Sequence, residues 1–247
     1  MNEIENAPVR PNGRKADDLR HLEIIPNVAP YAEGSALIKL GNTHVLCTAT
    51  VEERVPGWMR GRGKGWVTAE YSMLPRATKE RTQREAVQGK QGGRTVEIQR
   101  LIARSLRSVI DLPALGERQI IVDCDVILAD GGTRCASISG GYVALALAIR
   151  KMIDAGSTRR DPIKGAVAGV SVGVVRQVPM LDLDHQEDSS ADVDVNVVMT
   201  NANAFVEIQG TAEGEPFLPS TLDELLIMAS SGLDEIFAVQ QRALAVR

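Results

Sequence analysis

Two glycine-arginine patterns and one run of aspartates are the residues most able to do chemistry in this sequence. Residues 130–134 read "DGGTR". Gly131 and Gly132 permit positive φ and let an anion approach the backbone. Thr133 adds a hydroxyl, and Arg134 a forked cation suited to an oxyanion. The turn joins a strand-like run, "QIIVDCDVILA", to a helix-like one, "YVALALAIRKMIDAG". Backbone N–H groups and a helix dipole converge on phosphate at such junctions. No G-x-x-x-x-G-K-[ST] is present, so this is not a nucleoside-triphosphate loop. Read alone, the turn better suits a plain strand-to-helix connection whose arginine forms a salt bridge.

The second pattern is "QGGRTVEIQR", residues 91–100. Arg94 stands at a helix start, where the dipole disfavours a cation unless an anion is present. An arginine pointing to solvent is the alternative reading. In the third, "EDSSADVDVN", Asp188, Asp192 and Asp194 come close together. In an extended strand Asp192 and Asp194 share a side. Clustered carboxylates need a cation or a proton, and oxygen ligands suit magnesium or manganese held through waters. A solvated acidic turn is the alternative. Fourth come Arg60, Arg62, Lys64, Arg76, Lys79, Arg81, Arg84 and Lys90, with Trp58 and Trp66 near the start of the run. Such residues can track a phosphate backbone and stack on bases, or simply form a solvated loop.

One reaction uses all four. Two arginines hold inorganic phosphate, a carboxylate pair holds magnesium, and a basic arm feeds in a nucleic-acid strand. Phosphate then attacks a phosphodiester and gives a nucleoside diphosphate. The same set permits metal-assisted hydrolysis, with the arginines gripping the substrate backbone.

The elements that must position these residues follow from periodicity. Residues 22–27 and 35–54 read as strands, with a Gly-Asn hairpin break at 41–42. Residues 55–93, rich in Gly, Arg and Lys, read as a long functional loop or arm. Val96, Ile98, Leu101, Ile102, Leu106, Val109 and Ile110 trace a helical stripe. A strand at 119–129, the glycine turn and a helix at 140–155 come next. Residues 156–162 have the composition of a connector. Two β-branched, alternating runs follow. A closing helix begins near Ser220, read as an N-cap, and carries an apolar face from Leu222 to Phe237. The order indicates an α/β (α+β) protein of two packed subdomains.

Bulk numbers narrow the classes. The chain has 247 residues, 44% hydrophobic and only 3% aromatic, so Leu, Ile, Val and Ala fill the core. Residues 54–107 hold thirteen Lys/Arg against four Asp/Glu, whereas residues 161–247 hold four against fourteen. That asymmetry suggests a polyanionic partner for one face, or pairing of the two halves across an interface. No apolar run is read as reaching the ~18 residues of a membrane helix. The N-terminus shows no signal-peptide core. Cys47, Cys124 and Cys135 read as reduced core thiols. A cytoplasmic protein without a membrane partner is expected.

The sequence closely resembles the bacterial ribonuclease PH family over nearly its whole length. The matching blocks include "LPRATKERTQRE", "GRTVEIQRLIARSLR", "LGERQIIVDCDVILADGGTRCASISGG", "LDLDHQEDSSADVDVNVVMT" and "FVEIQGTAEGEPF". The resemblance implies a phosphate-dependent 3′→5′ exoribonuclease that trims tRNA precursors and other RNA 3′ ends. It implies phosphate binding at Arg94, Gly132, Thr133 and Arg134. It implies magnesium binding and catalysis at Asp188 and Asp194, with manganese as an alternative ion. Arg76, Arg81 and Arg84 are implied to contact tRNA. The family assembles as a homohexamer, a trimer of dimers. Its subunit has a ribosomal-protein-like βαβα core in two subdomains, here expected over 17–148 and 163–230, with 231–247 completing the last helix. Two positions depart from relatives. Asn12 stands where many members carry Asp, and Asn196 where the related polynucleotide phosphorylases carry lysine.

Overall fold

The computed structural model describes residues 10, 13–158 and 160–246. Asn12 lies outside them. Two sheets form the frame. The first contains β1 (Leu22–Pro26), β2 (Gly34–Leu40), β3 (Thr43–Glu52), β4 (Trp66–Met73) and β5 (Gln119–Leu128), in the order β1-β2-β3-β5-β4. Gly41, at φ +54, lets the β2–β3 hairpin close in two residues, with Leu40 opposite Thr43. All pairs are antiparallel except β4 with β5.

β4 corrects the reading of residues 55–93 as one loop. Val67, Ala69 and Tyr71 alternate inward and are buried. A parallel strand needs a crossover, and α2 (Gly93–Ser108) supplies it. The chain from Leu74 to Gly92 is mostly irregular, broken by the single turn α1 (Glu85–Gln88). Ile98, Leu101, Ile102 and Leu106 bury the predicted stripe of α2. The short α3 (Leu112–Leu115), capped by Asp111, leads into β5.

α4 (Thr133–Asp154) starts seven residues before the expected helix. The small residues between Cys135 and Gly141 are part of it. They allow close packing on the first sheet: a Cβ on Gly140 would lie 2.7 Å from Ile38 Cγ2 and 3.0 Å from Cys47 Sγ. With that extra length α4 is apolar enough to span a membrane by composition, contrary to the sequence reading. However, 83% of its most apolar window is buried inside the protein. It lies against β2, β3 and β6, and a helix apolar on every side is a core helix.

The second sheet runs β7-β6-β8-β9, all antiparallel, from β6 (Val167–Val175), β7 (Val178–Leu181), β8 (Val193–Thr200) and β9 (Phe205–Ala212). The single turn α5 (His185–Asp188) joins β7 to β8. α6 (Pro219–Ala245) buries Leu225, Ala229, Leu233, Ile236 and Phe237 against this sheet. It starts at Pro219 with Leu218 as N-cap, rather than at Ser220. Proline suits the first helical position because its missing N–H is unused there. Cys47, Cys124 and Cys135 are buried free thiols.

Candidate active site

The glycine turn is built by its surroundings as much as by its own sequence. Gly131 (φ +76) and Gly132 (φ +67) both lie in the left-handed region, where side chains are costly. A Cβ on Gly131 would also lie 2.6 Å from the Leu183 carbonyl oxygen. Thr43 Oγ1 donates to the Gly131 carbonyl at 2.7 Å and accepts from the Asp130 N–H at 2.9 Å. Gly132 is the N-cap of α4 and offers no side chain to its first turn. The N-terminus of a 22-residue helix is thereby left as an electropositive end.

Arg134 sits in that first turn. Its Nη1 donates to Glu97 Oε1 at 3.3 Å and to Gln209 Oε1. Arg94, in the first turn of α2, is exposed. Tyr71 lies within the electrostatic reach of both. Its hydroxyl lies 2.9 Å from Thr133 Oγ1. Burial raises its pKa, and the charges of Arg94 and Arg134 both act to lower it.

The carboxylates belong to the other half. Asp188 ends α5, whose start is fixed by a capping box between Asp184 and Glu187. Asp194 follows the first residue of β8, and its Oδ2 accepts from Asn196 Nδ2 at 3.4 Å. Asp194 Oδ1 is buried with no partner. Burial, with smaller contributions from the charges of Asp188 and Glu213, raises this carboxyl from 3.8 to about 6. Arg134 and Arg94 oppose them. The predicted arginines and aspartates therefore share one electrostatic neighbourhood, drawn from α2, α4, α5 and β8. Asp192 precedes β8 and is exposed, with its backbone paired to Val174 and Glu213.

The donor set can be tested against a metal. Among the described residues no group of three or more His, Cys, Asp or Glu could enclose an ion. Two carboxylates, one with an orphaned buried oxygen, instead fit a hard cation that keeps waters and binds substrate phosphates. Cys135 is no ligand candidate. Its thiol donates to Asn196 Oδ1 at 3.3 Å, and burial raises its pKa to about 12.

Arg76, Arg81 and Arg84 lie on the exposed segment beyond β4 and form no ion pair among the described residues. A cleft of about 750 Å³ separates this arm from the sheet, lined by Arg84, Lys90, Arg94, Tyr71, Asp123 and Asp125. Trp66 is committed elsewhere: Arg107 lies 4.4 Å over its ring and Trp58 packs against it in a T shape. Only Trp58 stays largely exposed. Among the described residues, pairing of the basic and acidic segments is limited to Arg104 on Glu207.

Several residues in and around the site escaped the sequence reading. Tyr71 lies in a segment whose Gly, Arg and Lys content reads as a loop, though the alternation of Val67, Ala69 and Tyr71 signals a strand. Glu97 and Gln209 carry no local signal. Neither do Arg10 and Arg20, whose buried partners are Glu187 and Asp182.

Two α/β halves meeting at an arginine and carboxylate site are the class this geometry defines. Residues 18–151 match domain 1 of the 3′ exoribonuclease family, and residues 165–232 match domain 2. The chain belongs to this family, and its two-domain arrangement is the RNase PH fold. The rice (Oryza sativa) Rrp46 structure superposes with a TM-score of 0.77 at 18% identity, covering 95% of this chain and 100% of that one. A chain of the Archaeoglobus fulgidus exosome with RNA bound to the active site gives 0.78 at 25% identity, over 93% of each. A chain of an archaeal exosome core gives 0.73 at 23% identity, over 95% and 90%.

Proposed function

We propose that this protein is a phosphate-dependent 3′→5′ exoribonuclease that trims tRNA precursors and releases nucleoside diphosphates in the cytoplasm. The observation that carries the proposal is the grouping of Arg94 and Arg134 with Asp188 and Asp194 at the N-terminus of α4. Arg94, Arg134 and the glycine turn hold inorganic phosphate beside the last phosphodiester. Its oxygen attacks phosphorus, the bond to the 3′ oxygen of the preceding nucleotide breaks, and that oxygen takes a proton from one of the two aspartates, Asp188 or Asp194, acting as the acid. The arginines and the helix end face the charge that develops on the phosphoryl oxygens. Asp188 and Asp194 would hold magnesium or manganese, which when bound neutralises phosphate charge. A carboxyl shifted to about 6, as Asp194 is, can carry a proton near neutral pH and release it when a cation stabilises the anion.

Arg76, Arg81 and Arg84, exposed on the segment beside the cleft, would follow the RNA backbone. Assembly as a homohexameric trimer of dimers would let one subunit's arm serve another's substrate. The phosphodiester energy is largely retained in the diphosphate, so a nucleoside diphosphate and an RNA primer should give primer extension.

One experiment separates this reading from its rivals. A short RNA is incubated with magnesium, with and without phosphate, and the products are identified. Diphosphates formed only with phosphate support it. Monophosphates indicate hydrolysis, and absence of product indicates an RNA-guiding subunit without activity.

A further inference from the structure

We infer that Arg20, acting with Asp182 and Thr43, is a positioning residue for phosphate: it sets the direction in which the glycine turn presents its amides. The inference rests on the phosphate site proposed above. Arg20 and Asp182 are 6% and 1% exposed. Asp182 Oδ2 accepts from the Arg20 backbone N–H at 2.8 Å and from Nε at 2.9 Å, while Oδ1 accepts from Nη2 at 2.7 Å. This two-point grip orients the guanidinium plane. The fork then reaches the turn. Nη1 donates to the Asp130 carbonyl and Nη2 to the Gly131 carbonyl at 3.4 Å. Thr43 Oγ1 donates to the same Gly131 oxygen.

Two successive carbonyls are thus drawn toward Arg20 and Thr43. In a planar trans peptide the C=O and the following N–H point in opposite directions. The N–H groups of Gly131 and Gly132 are therefore directed away from the buried fork. Without it, a pair of glycines has many other orientations available. The same interaction joins the two halves, because Asp182 lies just before the α5 turn that ends at Asp188, and Gly131 abuts Leu183. Asp182 itself adopts φ +54, a conformation rarely held by a non-glycine residue unless its surroundings impose it.

Two variants test the role. Arg20→Lys keeps the charge and loses the fork. Asp182→Asn keeps the shape, tolerates the positive φ and loses the charge. Inorganic phosphate binding is read by calorimetry, and the phosphorolysis KM for phosphate is compared with kcat, alongside RNA affinity and melting temperature. The expected result is folded protein with phosphate Kd and KM raised about 10-fold, equivalent to about 1.4 kcal/mol. RNA affinity and kcat at saturating phosphate should stay within about threefold, since only phosphate placement is lost. Folded variants with unchanged phosphate Kd and KM would overturn the inference. So would loss of folding in both variants, which would make the pair a structural staple alone. Wild-type protein that binds no phosphate would instead remove the underlying site, and the wild-type titration reads that first.

Discussion

Glu97 holds Arg134: carboxylate Oε1 and guanidinium Nη1 are 3.3 Å apart. Glu97 stands three residues after Arg94 on α2, so the helix that presents one arginine also steers the other. Gln209 of β9 accepts from the same nitrogen and donates to Glu97 at 3.4 Å. Arg134 is thus linked through α2 and β9 to the helix that carries Arg94. Glu97→Ala should raise the phosphate KM about fivefold, as expected for a partly exposed pair contributing on the order of 1 kcal/mol. Glu97→Gln, which can still accept from Arg134, should show a smaller rise. Equal kinetics in wild type and both variants would exclude this steering role.

Arg94 and Arg134 themselves should matter more. Removing a charge-assisted contact at a reacting group costs about 2–4 kcal/mol, or roughly 30- to 1000-fold in rate. Arg94→Ala and Arg134→Ala should show losses in that range in kcat/KM for phosphate. Initial rates across a phosphate series check this, and wild-type phosphate dependence in both variants would refute the assignment.

Asp194 gives a pH signature of its own. Its folded-state pKa is raised to about 6 by burial, so the folded protein binds this proton more tightly than the unfolded chain. The resulting stabilisation is complete below about pH 4 and is lost as the pH rises through about 6. In chelator, Asp194→Asn should melt above wild type at pH 8. After discounting for solvent contact, the gain is on the order of 1 kcal/mol, or about 2–4 °C. The gap should close near pH 4. Activity with magnesium should be abolished in Asp194→Asn and in Asp188→Asn, with RNA affinity largely retained. Thermal melts over a pH series and a binding assay test both halves of the statement.

The arm should act through long-range charge. Replacing Arg76, Arg81 and Arg84 together by Gln should weaken tRNA binding and flatten the plot of log affinity against log salt by about 2–3. Because all three side chains are exposed, the melting temperature should barely change. Unchanged tRNA affinity across the salt series would remove the arm from the account.

Much of this protein was legible in one dimension because local order has a period. The stripe on α2, the Gly-Asn hairpin and the alternation in β6 and β8 lie within short windows. So do the glycine turn and the aspartate run, and the sequence blocks pointed to Arg94, Arg134, Asp188 and Asp194 together. Tertiary structure decided what no window contains. β4 carries its own alternation, but its parallel partner β5 lies on the far side of α2. α4 begins at Thr133 because its small residues can pack on the first sheet. The partner that makes Arg20 a buried residue, Asp182, lies 162 positions away. A charge is costly inside a protein until it is paired. Motif spacing and periodicity therefore marked the residues able to do chemistry, while the folded contacts determined which buried charges lie beside them.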